Sequence, residues 1–290
     1  MKKYKRLIAT LLVKDGLLVQ SVNFKNFYPI GKPQFTIDLI SRWDIDEIFL
    51  LNISKNRNDV KFNNNLIKSF AKKCFVPLTI GGGVDTISYA KKLISYGADK
   101  ILVNSSCIEN PNIIYELSQI FGSQCIVVGM DVKKIKDKHY VFKNSGTIKT
   151  DLDINKWIQT IEELGAGEIL INSIDRDGTK KGFDLSLLRK LDSKCKIPII
   201  FQGGAGNYLN IYKALISRKL SGCAIGNMFH FTEHSTITAK AYLQKKGIGI
   251  RFDNPYNYKG KPIDQNGRVL PSKYEDLNKL ITKPSQKHLI

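Results

Sequence analysis

A chain of 290 residues that is 42% hydrophobic can bury one large core, and its net charge of +19 points either to a solvated cationic surface or to anionic partners. Five widely spaced cysteines, odd in number and without a C-x-x-C pair, argue against a disulfide framework and a zinc site. The basic start Met1–Arg6 leads into an apolar run that Lys14, Asp15 and Gly16 interrupt, too short for a signal segment or a membrane span. The expectation is a soluble cytoplasmic protein without a membrane partner.

Strand-like and helix-like runs alternate along the chain, the mark of parallel α/β architecture. Arg6–Val13 reads as a strand, Phe35–Trp43 as an amphipathic helix and Glu47–Ile53 as a second strand. Asn64–Lys73, Val76–Ile80, Thr86–Tyr96, Lys100–Asn104 and Ile113–Phe121 continue the alternation. Cys125–Asp131, Ile154–Leu164, Glu168–Asn172, Leu185–Leu191, Ile197–Gln202, Tyr208–Ser217 and Gly222–Asn227 complete it. Eight strand-helix units in about 250 residues match a closed (β/α)8 barrel, with a doubly wound open sheet as the alternative. Past Gly249 the periodicity stops: residues 251–290 carry four prolines and 8 basic against 4 acidic residues. They read as an extension to a barrel domain spanning 1–250, with at most one short helix near Tyr274–Leu280.

An internal repeat supports closure. Phe75-Val-Pro-Leu-Thr-Ile-Gly-Gly-Gly83 returns as Lys196-Ile-Pro-Ile-Ile-Phe-Gln-Gly-Gly204, Glu47–Ile53 returns as Glu168–Ile174, and Leu12-Val-Lys14 as Asp131-Val-Lys133. All three recur after about 120 residues, which implies two half-barrels of four units each.

The stretch Ile169–Thr179 joins a strand without polar alternation to a loop crowded with hydrogen-bonding groups, and barrel folds place their ligands at such carboxyl ends. Gly82 and Gly83 follow one strand and Gly203 and Gly204 its repeat partner, where backbone N–H groups can approach an anion unhindered. With Asn104 and Ser105 in the first half, and Gly226 and Asn227 in the second, each half offers a cradle for one phosphate. The rival reading is that these glycines only make tight turns. Asp131, at the end of the fifth strand, and Asp177, at the end of the turn after the sixth, are candidate acids or bases at the mouth, with a structural hydrogen-bond acceptor as the rival reading of Asp131; the repeat matches Asp131 with Leu12, which cannot transfer a proton. Arg6, Glu47, Lys100 and Glu168 sit at the amino ends of their strands, so a closed barrel would converge them on its bottom face as a paired ring, with a purely stabilising role as the rival. His139, His230, His234 and His288 show no metal-ligand spacing, no G-x-S-x-G occurs, and no metal or cofactor is expected. Phe229-His230-Phe231 reads as loop packing. Basic stretches are not interleaved with aromatics as a base-stacking surface would be, so nucleic acid is only a third reading of the charge.

Val13-Lys-Asp-Gly16, Gly97-Ala-Asp-Lys100, Phe121-Gly-Ser-Gln124, Gly165-Ala-Gly-Glu-Ile169, Ser173-Ile-Asp-Arg-Asp-Gly-Thr179 and Gly203-Gly-Ala-Gly206 occur in order with Gly81–Gly83 and Phe229–Phe231. This series resembles the HisF family, the cyclase subunits of imidazole glycerol phosphate synthase, from about Lys5 to Arg251. The resemblance implies a barrel docked on a class I glutamine amidotransferase whose ammonia enters at the bottom, past a gate matching Arg6, Glu47, Lys100 and Glu168. It assigns the second catalytic aspartate to Asp131, implies a substrate-binding role for the Asp177 turn, and matches the family's phosphate cradles at Asn104, Gly178, Thr179, Gly203 and Gly204. The family's first catalytic aspartate falls on Leu12, a substrate-site lysine on Gln20 and a further aspartate on Asn52, while Gln202 replaces a small residue. Asn-Ser-Ile-Asp-Arg-Asp in the sixth unit and Met-Phe-His-Phe near the end resemble a paralogous branch tied to surface-polysaccharide genes. That resemblance implies a conduit feeding ammonia to a sugar-amidating synthetase; the alternative is the cyclase of histidine biosynthesis itself.

Overall fold

The computed structural model describes residues 4–54, 64–191, 195–230, 234–254, 258 and 260–270. The predicted helix near Tyr274–Leu280, as well as Phe231 and His288, lie outside them. Twelve strands form one sheet: β1 (Arg6–Lys14), β2 (Leu17–Val22), β3 (Asn26–Gly31), β4 (Glu47–Asn52), β5 (Leu78–Gly81), β6 (Lys100–Val103), β7 (Ile126–Ile135), β8 (Lys138–Lys143), β9 (Ile148–Lys149), β10 (Glu168–Ser173), β11 (Ile199–Gln202) and β12 (Leu220–Ile225). The parallel order β1-β4-β5-β6-β7-β10-β11-β12 closes on itself through β12 and β1, giving the eight-stranded barrel. The open-sheet alternative is thereby excluded.

Helices α1 (Pro33–Arg42), α2 (Asn64–Ala71), α3 (Ile87–Ser95), α4 (Ser105–Glu109), α5 (Asn112–Phe121), α6 (Ile154–Glu163), α7 (Leu185–Lys190), α8 (Tyr208–Leu215) and α9 (Ser235–Lys245) surround it. Local chemistry fixes several of their starts. Thr86, Asp153, Asp184 and Asn207 accept backbone N–H groups of the first turns of α3, α6, α7 and α8, donors that the helix itself leaves unpaired. The apolar faces of helices and strands form the main core, while Ile8, Phe49, Leu102, Val127, Leu170, Ile200 and Ala224 form a separate cluster inside the barrel.

Three local differences from the sequence reading have physical causes. β5 and β11 begin two residues later than predicted, just after Pro77 and Pro198; neither proline has an N–H to give, and both instead accept, from Ile48 and Ile169 at 3.0 Å each. β7 runs past Asp131 into an antiparallel hairpin with β8, as β1 does with β2, so both half-barrels open with a hairpin that rises from the top face. Helix α9 went unpredicted because its buried residues include Ser235, Thr236, Thr238 and Lys240, which hide the apolar periodicity. Lys240 is fully buried and pairs with Asp46 at 2.8 Å and Asp44 at 3.4 Å, tying α9 to the loop before β4.

After Ile250 bridges to Lys5 at the bottom, the described part of the extension climbs beside α9. Tyr258 meets His234 at 2.9 Å, Gln265 accepts the Tyr208 N–H at 2.8 Å, and Ile263 is buried in the main core. None of the helices among the described residues is long and apolar enough to cross a membrane. All five cysteines are free thiols.

Candidate functional site

The barrel interior is layered. At the bottom, Arg6 Nη1 reaches Glu47 Oε2 at 3.0 Å, and its other terminal nitrogen pairs with Glu168. Lys100 Nζ reaches Glu47 Oε1 at 2.9 Å and Glu168 Oε2 at 3.0 Å, so the four alternate in sign around a closed ring. Thr79 Oγ1 donates to Glu47 at 2.7 Å. Glu47 is 2% exposed; burial pushes its carboxyl up, Lys100 and Arg6 pull it down, and Glu168 pushes it up. The net direction is upward.

Above the ring lies the apolar interior cluster, and above that a polar layer. Thr10 Oγ1 donates to Gln202 Oε1 at 2.8 Å across the β1 side. On the other side Asn104 Nδ2 donates to Asp131 Oδ2 at 2.8 Å, with Asn172 Nδ2 3.5 Å from Oδ1. Burial pushes the Asp131 carboxyl up to about 6; the amide hydrogen bonds hold it down and the nearby Asp177 adds to the rise. Asp131 is thus a buried acid that can change protonation near neutral pH. Leu12, half-buried, has Val19 and Leu51 as register partners and brings no proton-transferring group.

Asp177 is engaged by the chain itself. Its Oδ2 accepts the Ser21 hydroxyl at 2.5 Å and the Phe24 N–H at 3.3 Å, and its carbonyl accepts the Asn23 N–H at 2.9 Å. Asn227 Nδ2 donates to the Ser21 carbonyl at 2.9 Å, and Gln20 Nε2 lies 3.4 Å from the Asn227 carbonyl. Ser21, on β2, therefore links that strand to the loops after β10 and β12 across the mouth. The sequence offered no signal for it: a serine inside a strand-like run has no distinguishing spacing.

The glycines satisfy both readings of their role. A Cβ on Gly82 would come within 2.3 Å of the Asn52 carbonyl, on Gly178 within 2.1 Å of the Ser21 carbonyl, and on Gly204 within 2.2 Å of the Gly182 carbonyl. Close backbone packing alone thus requires glycine at these three positions. Yet the N–H groups of Gly82, Gly83 and Ser105 in one half, and of Gly203, Gly204, Gly226 and Asn227 in the other, make no hydrogen bond among the described residues. The Thr179 N–H is used by the Arg176 carbonyl and its hydroxyl by the same atom.

His230 has two buried ring nitrogens without a partner among the described residues, and burial pushes it down to about 4, so it is neutral and packs rather than titrates near pH 7. No group of three or more His, Cys, Asp or Glu side chains placed to hold a metal occurs among the described residues.

A family model described as "Histidine biosynthesis protein" matches residues 6–235. A Vibrio vulnificus protein named "Putative imidazole glycerol phosphate synthase subunit hisF2" is 36% identical over 263 residues, 91% of this chain and 97% of its own length. Proteins named imidazole glycerol phosphate synthase subunit HisF are 39% identical over 249 residues in Hydrogenobaculum and 41% over 248 in Saccharolobus solfataricus; each match covers 86% of this chain and 99% of the relative.

Proposed function

The chain belongs to the histidine biosynthesis protein family, as a HisF-like member, and from that premise we propose that its barrel serves chiefly as an ammonia conduit. A HisH-type class I glutaminase docks at the Arg6, Glu47, Lys100 and Glu168 end. The ring acts as the gate through which ammonia enters. Above it the apolar cluster favours neutral ammonia, because an ammonium ion would lose its hydration there without gaining a partner. A third enzyme with its own ATP receives the ammonia at the mouth and amidates a sugar, forming an amide or an acetamidino group for surface-polysaccharide synthesis. The free thiols fit a reducing cytoplasm.

Leu12 carries this reading. Cyclisation in the family needs acid-base chemistry at two places, and here Asp131 stands without its carboxylate counterpart, since Leu12 is flanked by Val19 and Leu51. The unpaired N–H groups of Gly82, Gly83 and Ser105, and of Gly203, Gly204, Gly226 and Asn227, support retention of a phosphorylated small molecule at the mouth. Asn104 lies beside the first cradle; Gly178 and Thr179 shape the loop beside the second, where Asp177, held by Ser21, fixes that loop and offers the phosphate no donor. Residues 1–250 act as the barrel and 251–290 as an extension, whose described part is held to the barrel through Tyr258, Ile263 and Gln265.

A second reading, the histidine-pathway cyclase itself, draws support from Asp131, whose carboxyl at about 6 is poised for proton transfer. Complementation of a cyclase-deficient histidine auxotroph separates the two. The conduit reading expects no growth from the native chain, and growth once Leu12→Asp is combined with Gln20→Lys. Growth supported by the native chain would overturn it.

A further inference from the structure

The fold joins two basic stretches that lie apart in sequence. Lys134 and Lys136 belong to the hairpin of β7 and β8; Arg176 and Lys181 belong to the loop that follows β10. All four line one groove of about 400 Å³ on the outer rim of the top face, together with Asp175 and Asp184. The Lys134 N–H donates to Asp175 Oδ2 at 2.6 Å, which fixes hairpin and loop to each other and so fixes the spacing of the cations.

The carboxylates do not neutralise this groove. Asp184 Oδ1 already accepts the N–H groups of Ser186 and Leu187, at 3.0 Å each, and the Ser186 hydroxyl at 2.6 Å, and its Oδ2 faces His139 at 3.2 Å. Among the described residues none of the four cations forms an ion pair. Four cations and two carboxylates leave two positive charges in excess within a groove the size of a small ligand. That matches a dianion. Arg176 brings a planar donor fork suited to phosphate oxygens, and the lysines bring point charges.

We propose that this groove is a binding site for a phosphate dianion, either a phosphate or diphosphate group of a small metabolite or the inorganic ion. It stands apart from the mouth: its ligand would sit on the outer wall of the Asp175–Lys181 segment, whose inner side carries Asp177 and its contact to Ser21. Occupancy would clamp hairpin to loop and thereby hold the mouth in its latched arrangement. The site does not depend on the conduit reading, because the isolated chain suffices to test it.

The test is an amide NMR titration of the full chain with inorganic pyrophosphate, and separately with inorganic phosphate. Saturable shifts are expected at Lys134, Lys136, Lys181 and Ser186. Lys136→Glu with Lys181→Glu should weaken binding at these amides by at least about tenfold, and Arg176→Gln alone by a smaller factor. A charge-matched control, Lys91→Glu with Lys92→Glu on exposed positions of α3, should leave the affinity unchanged. Preference for pyrophosphate would identify a diphosphate site, and equal affinity a phosphate site. Shifts confined to Gly203, Gly204 and Asn227, or an equal loss in the control, would overturn the proposal, since binding would then belong to the mouth or to diffuse charge.

Discussion

Replacing Lys100 by methionine tests the bottom ring most directly. Lys100 bridges Glu47 and Glu168 at 2.9 and 3.0 Å, so its loss leaves two nearly buried carboxylates sharing Arg6 alone. Breaking a buried pair from one side costs about 3–5 kcal/mol. Lys100 is 19% exposed and Arg6 still faces both anions, which discounts the cost to about 2–3 kcal/mol at pH 7. In a chain this long, where the unfolding entropy is about 0.6 kcal/mol per kelvin, that corresponds to a fall in Tm of roughly 3–5 °C. The loss has a pH signature. Glu47 already has its carboxyl raised in the folded state, so its contribution is most favourable at low pH and is lost as pH rises through the folded value. Removing Lys100 raises that value further, and the deficit relative to the native chain should shrink as pH falls from 7 towards 5. Urea unfolding at both pH values measures it. The double change Lys100→Met with Glu168→Gln restores the charge balance and should recover more than half of the loss. A deficit below about 0.5 kcal/mol that is the same at both pH values would refute the view that mutual pairing holds this ring together.

Asp131→Asn should stabilise the protein by about 1–2 kcal/mol at pH 7.5 and by little at pH 4. The native carboxyl stands at about 6, so the stability it allows at low pH is lost as pH rises through that value; urea midpoints across the range would show the slope vanish in the variant. Lys240→Met strands Asp44 and Asp46 beneath α9 and should cost about 3–5 kcal/mol, read as a lowered thermal midpoint. Gly178→Ala sets a Cβ within 2.1 Å of the Ser21 carbonyl at a φ of +67°, so the loop should separate from the β2 end. Faster amide exchange at Asn23 and Phe24, whose N–H groups bond to Asp177, would report that opening.

Much of this protein was legible before any coordinates. The eight barrel strands declare themselves because both faces of each are covered, leaving unbroken apolar runs such as Ile169–Ile171 between turn residues. The ring was legible because Arg6, Glu47, Lys100 and Glu168 hold the same place relative to their strands, and a barrel converts equal sequence position into spatial convergence. The contrast between Leu12 and Asp131 also belongs to sequence, through the half-barrel repeat. Periodicity reports burial against immediate surroundings and says nothing about which loops meet. Ser21 and Asp177 lie 156 residues apart, and only closure of the barrel sets the hydroxyl against the carboxylate. Tertiary structure likewise decided that Lys240 is a buried partner for Asp46, since a lysine inside an α9 with polar buried positions is indistinguishable, in one dimension, from a solvated one. The rim groove follows the same rule: two basic runs that read separately as ordinary surface become one electropositive site because β7 and β10 are neighbours in the barrel.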